Sequence, residues 1–178
     1  MATAAAVVLC IVLSAGGCSS NDATDDSAGE ESSESTTTTT TPAGLLTATM
    51  DILSGQCFNP VPDPTQQPYA VFVVACDDPH EFEAYSTTQL ELGEPTPPGT
   101  PYPGDLTVAN AAEAQCLTGF ASFVGLAWES SEYDVQAWWP SAESWTTTND
   151  RSILCGVFRV TAGSDSAMTV GSARNSRR

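Results

Sequence analysis

Hydrophobic positions fall into three regimes along the chain. Residues 4–13 (AAAVVLCIVL) form one unbroken apolar run, residues 19–41 contain nothing apolar larger than alanine, and beyond Leu45 short apolar stretches alternate with polar turns. The first run has the length of a secretion-signal h-region, about 7–15 residues, and is well short of the ~18 a spanning helix needs. The second regime has no side chains to offset the entropy of ordering, so it is expected to stay unfolded. Its six acidic residues repel one another and favour extension.

The third regime carries the fold. Residues 69–76 (YAVFVVAC) are a β-branched apolar run, which predicts a central strand. A turn at Asp77-Asp78-Pro79 leads to a neighbouring short strand over residues 81–85. Five prolines and three glycines make residues 91–104 a loop. Asp105 is placed to cap a helix that runs to Val124 and stops at Gly125. The stripe Val108, Ala112, Cys116, Phe120 and Phe123/Val124 has helical spacing and predicts the buried face. Residues 133–139 alternate, with Tyr133, Val135, Ala137 and Trp139 on one face and Asp134, Gln136 and Trp138 on the other. Residues 151–161 (RSILCGVFRVT) are apolar on both faces, as a strand covered on both sides requires. The predicted class is α+β: a small, mainly antiparallel sheet with one main packed helix.

Cysteine positions sharpen this picture. Cys10 lies inside the apolar run, and Cys18 follows the small-residue segment Ser14-Ala15-Gly16-Gly17. That segment resembles the lipobox of bacterial lipoproteins, which implies diacylglyceryl transfer to the Cys18 thiol. Ala15 stands where leucine is commoner, and no lysine or arginine precedes the apolar run. The expected organisation is a signal peptide over residues 1–17, a lipidated Cys18 with an acidic Ser/Thr-rich stalk over 18–44, and a folded domain over 45–178. The four remaining cysteines, Cys57, Cys76, Cys116 and Cys155, are expected to form two disulfides in an oxidising compartment, out of three connectivities. The placement of the elements favours Cys116–Cys155, stapling helix to sheet, and Cys57–Cys76, closing the first strand pair.

Charge removes whole classes of function. The formal net charge is -17, with no lysine and five arginines, so a phosphate backbone is repelled and no nucleic-acid partner is expected. No CxxC pair is present and His80 is the only histidine, so neither a metal site nor a cofactor is expected. A hydrolytic triad would have to use His80, yet no nucleophile motif accompanies it. His80 is instead expected to fix the approach to a strand, its ring bonded to nearby backbone or to Glu83. Glu81, Glu83, Glu129 and Glu132 could be paired for glycoside hydrolysis, but a domain with sixteen acids always offers such pairs. No catalytic residue is therefore assigned. Trp138, Trp139 and Trp145, with Tyr133, form the candidate binding surface, because aromatics dominate binding hot spots. Asp150-Arg151 is expected to be a turn-located ion pair or cap contact.

The segment Val74-Ala75-Cys76-Asp77-Asp78-Pro79-His80-Glu81-Phe82-Glu83 resembles the V-x-C-x-x-P-H-x-x-E motif of the actinobacterial septum formation domain. The likeness continues through Tyr102-Pro103-Gly104, Cys116, Phe120, Phe123-Val124-Gly125, Pro140, Trp145 and Asp150-Arg151-Ser152-Ile153-Leu154-Cys155 to Val170-Gly171-Ser172. Gln56 replaces an acidic residue and Asn149 a glycine of that pattern. The resemblance implies an extracytoplasmic domain associated with septum formation. The functional expectation is a non-enzymatic interaction or scaffolding module on the outer face of the cell membrane, held there by its lipid anchor. Its partners would be envelope or division proteins, or cell-wall glycan. The alternatives are a glycan- or small-ligand-binding lipoprotein and a cell-wall hydrolase.

Overall fold

The computed structural model describes residues 44–65, 69–161 and 166–178. The expected signal peptide, Cys18 and the stalk up to residue 43 lie outside these residues. Among the described residues, no helix is long and apolar enough to cross a membrane.

Seven strands form one antiparallel sheet: β1 (Leu45–Ala48), β2 (Cys57–Pro60), β3 (Ala70–Val74), β4 (Phe82–Gln89), β5 (Tyr133–Trp138), β6 (Ser152–Val160) and β7 (Ser166–Ala167). Their order is β1-β3-β2-β4-β6-β5, with β7 added to β6. Among the described residues, two α-helices, α1 (Asp105–Val124) and α2 (Ala142–Thr147), and two single-turn 3-10 helices, Thr49–Asp51 and Trp128–Ser130, accompany them. The α+β class with one main helix is the observed one.

Two local expectations are corrected. The 69–76 run becomes β3, but it is not central: it lies between β1 and β2, one strand in from the edge. Nor does it neighbour the strand after the Asp77-Asp78-Pro79 turn, because β2 is inserted between them. Cys57 faces Val74 of β3 on one side and Glu83 of β4 on the other. The reason is covalent as well as hydrophobic, since the Cys57–Cys76 disulfide pins the start of β2 to the end of β3. The helix also begins differently. Gly104, at φ 97°, takes the cap position without any side-chain bond, and Asp105 stands in the first turn, where its carboxylate accepts the Tyr102 hydroxyl at 2.7 Å. Only glycine reaches that φ cheaply, so the turn into the helix is set one residue early.

The predicted helix stripe is the buried face of α1, and Gly125 ends it in the left-handed conformation at φ 81°. Cys116 in this stripe bonds Cys155 on β6, and the second disulfide joins Cys57 to Cys76. Closing loops of these lengths stabilises the chain by roughly 4 and 3 kcal/mol in the loop-entropy account. The helix covers one sheet face through Ile153, Cys155 and Val157 of β6. The opposite face carries a second cluster of Ile52, Phe58, Val71, Ala84 and Leu154. Strand β6 thus feeds both cores by simple alternation, which is why its sequence is apolar throughout.

A bulge between Ala84 and Ser86 shifts the β4–β6 register around Tyr85. It helps aim the Tyr85 ring at α1, where Gly119 offers no side chain to obstruct it and the hydroxyl donates to the Cys116 carbonyl at 2.6 Å. Burial raises the pKa of this hydroxyl well above the usual tyrosine range.

The C-terminal segment is fastened in three places. Thr169 and His80 exchange backbone hydrogen bonds, and the Gly171 amide donates to the Cys76 carbonyl at 2.7 Å. Glu83, only 2% exposed, accepts the Ser172 hydroxyl and the Ala173 amide, both at 2.6 Å. The Asn175 and Arg177 amides then donate to the Phe123 and Val124 carbonyls, so the tail satisfies the end of α1. Arg174 lies over the Phe123 ring, placing a cation near the negative end of the helix, and Arg178 donates to the Tyr133 hydroxyl of β5.

Candidate binding groove

The alternation of β5 sends its two tryptophan-side faces into different cores. Tyr133 and Ala137 are buried on the α1 side, with Val135 and Trp139 packed against that cluster. Trp138 points to the other face and meets Phe58 and Phe82 edge-on, at 5.4 and 5.3 Å between ring centres. Phe58 and Phe82 stack at 5.5 Å, and Phe158 extends the row. Gly156 makes room for this arrangement: a Cβ there would stand 2.9 Å from Cζ3 of Trp138. Gly156→Ala is expected to push the indole off its seat, cost about 1–3 kcal/mol as overpacking does, and shift tryptophan emission to the red.

Above these rings lies a groove of about 810 Å³, lined from β3 on one side to β5 and α2 on the other. Its apolar surface includes Met50, Val61, Tyr69 and Trp138, and its polar edge comes from α2 and the following turn. Tyr69 is 70% exposed, so an aromatic stands open at the rim. Glu143 and Asp150 are the only carboxylates among the described lining residues, and no cation lines it.

The four aromatics singled out from sequence do not share one surface. Trp138 and Trp139 both line the groove. Trp145 and Tyr133 are removed from any surface role, at 1% and 2% exposed. Trp145 is a pin: its indole N–H donates to the Thr100 carbonyl at 2.8 Å, holding the proline-rich loop, and Tyr102 packs edge-on against it. Arg151 stacks on the other side, its guanidinium carbon 3.3 Å from the ring centre. Of the two expectations for Asp150-Arg151, ion pair or cap contact, the ion pair gives way to this stacking. The Arg151 guanidinium donates to the Trp145 and Asp150 carbonyls, while the Asp150 carboxylate accepts the Ser152 amide at 2.9 Å. Asn149 sits at φ 54°, which explains why asparagine can stand where the pattern has glycine.

Tyr102 shows the effect of this packing. Burial, together with the bond to Asp105, pushes its hydroxyl up to about 12. The neutral phenol is therefore favoured by the fold, so its contribution is complete below pH ~10 and lost as pH rises towards 12. Between those values the wild-type chain is expected to lose thermal stability more steeply than Tyr102→Phe, read by melting at stepped pH.

The other candidates have structural tasks. His80, 1% exposed, places Nδ1 2.9 Å from the Asp78 carbonyl and does not bond Glu83, whose oxygens are taken by the C-terminal segment. Glu81 bonds the Ser166 hydroxyl and Glu132 pairs with Arg159 at 3.1 Å. None of Glu81, Glu83, Glu129 or Glu132 lines the groove. The sulfurs of Cys57 and Cys76 and a Glu83 oxygen lie within 4.8 Å of one another, but the disulfide consumes both thiols as ligands. Phe58, Phe82, Tyr69 and Glu143 are not legible in the sequence as site residues, because strand order and the placement of α2 bring them to one groove.

The sequence model of the septum formation family matches residues 54–178. Neither a curated protein nor a solved structure matches the chain. Strand β1 and the core residue Ile52 precede the matched region, although β1 pairs along its length with β3.

Proposed function

The chain belongs to the septum formation family, and from that premise we propose that it is a non-enzymatic interaction module of the cell envelope that engages its partner through the aromatic groove. In this reading Cys18 carries the lipid anchor, the acidic stalk gives reach, and the folded domain is displayed outside the cytoplasm. Two disulfides in a domain of this size support an oxidising compartment. The observation that carries the binding role is the groove itself, a concave apolar surface with an open aromatic rim and a polar edge.

The test is localisation of the full chain fused to a fluorescent protein that matures outside the cytoplasm. Enrichment at the division septum is expected, and Cys18→Ala is expected to move the fusion from the membrane fraction to the soluble fraction. An even distribution around dividing cells would remove the division role. Retention of the Cys18→Ala variant in membranes would remove the lipid anchor.

A further inference from the structure

The groove's chemistry narrows its occupant, and this inference rests on reading the groove as the binding site. Among the described residues, the exposed Tyr69 and the half-buried Phe82 and Trp138 line it together with Glu143 and Asp150, above the fully buried Phe58. The chain has no lysine, and its five arginines are all placed elsewhere. Arg151 is 6% exposed and stacked on Trp145, Arg159 is paired with Glu132, and the other three belong to the tail beyond α1. An anionic ligand would therefore meet carboxylates at the rim and no counter-charge. A ligand with a positive head meets the opposite case, since aromatic faces attract cations and Glu143 has an exposed carboxylate at the α2 end. The volume, about 810 Å³, falls within the range of small-molecule pockets.

We propose that the groove binds a cationic amphiphile, a small molecule with an apolar body and an ammonium head directed to the Glu143 edge. The body would lie over Phe82 and Trp138 and displace water from apolar surface. Selectivity would come from the rim, through the carboxylate and the aromatic faces together.

Octyltrimethylammonium is the probe, titrated calorimetrically into the full chain, with octanoate and tetramethylammonium as comparators. An ionic strength of about 0.15 M screens general attraction to the acidic surface. Saturable one-to-one binding is expected for octyltrimethylammonium, about tenfold tighter than for octanoate. Tetramethylammonium, lacking the body, is expected to bind far more weakly. Pro60→Trp, on the Phe58 face of β2, should abolish binding by filling the groove. Gln136, which shares the Trp138 face of β5 and also lines the groove, supplies the second blocking variant, Gln136→Trp. Glu143→Gln should weaken the cation a few-fold and leave octanoate no weaker. Equal affinity for octanoate, or unchanged binding in both blocked variants while they stay folded, overturns the proposal. If septal enrichment persists when octyltrimethylammonium fails to bind, the ligand class falls and the interaction module stands. If binding holds and the fusion is evenly distributed, the division role falls and the ligand class stands.

Discussion

Trp145→Ala is expected to lower the unfolding free energy by about 4–5 kcal/mol, near the top of the range for removing a buried aromatic. The ring is almost fully enclosed, and three separate contacts end on it. Its N–H donates to the Thr100 carbonyl, Tyr102 packs against its edge and Arg151 lies on its face. The last raises the cost, because a buried guanidinium without the ring loses the attraction that offsets its desolvation. Urea denaturation of the full chain measures the change. Trp145→Phe, which keeps a face for Arg151 but loses the Thr100 bond, should recover more than half of it. A loss below about 2 kcal/mol for Trp145→Ala would show that the site collapses to refill the space, and the pin would be a minor one.

Removing residues 172–178 is expected to cost at least as much, about 5 kcal/mol. The deletion strips Glu83 of both its donors, and leaving a buried carboxyl group without partners costs several kcal/mol. It also takes buried Ala173 from the core and reopens the Phe123 and Val124 carbonyls at the end of α1. Glu83→Leu in the truncated chain separates these contributions. It replaces the orphaned carboxyl with an apolar group and should restore part of the loss, on the order of 2 kcal/mol. If Glu83→Leu restores nothing, the stability resides in the helix end and not in the carboxyl latch. Melting temperature and hydrogen exchange at the last turn of α1 distinguish the two.

Both predictions concern residues whose role was only half legible beforehand. Trp145 stood out as an aromatic, and its sequence neighbours suggested a surface; its burial depends on the proline-rich loop folding over α2, some 45 residues away in the chain. Glu83 appeared as one acid among many. Its function emerges from a partner 90 residues distant, a separation no periodicity can report. By contrast the stripe of α1, the alternation of β5 and the two-faced character of β6 were readable, because each rests on side-chain direction within a single element. The insertion of β2 between β3 and β4 was not readable. A four-residue strand ending in proline carries little pattern, and its position is fixed by the Cys57 disulfide and by pairing on both sides.

The sequence by itself determined the α+β class, the helix and its buried face, the two-disulfide framework and the expectation of export, since local periodicity and cysteine number are properties of the chain alone. Only the tertiary structure decided which aromatics line an open groove and which are sealed in the core. Trp138 and Trp145 are the same residue type seven positions apart, yet one lines an open groove and the other is sealed beneath Arg151 and Tyr102. The difference lies in what packs against each ring, and that is set by strand order and a glycine at position 156.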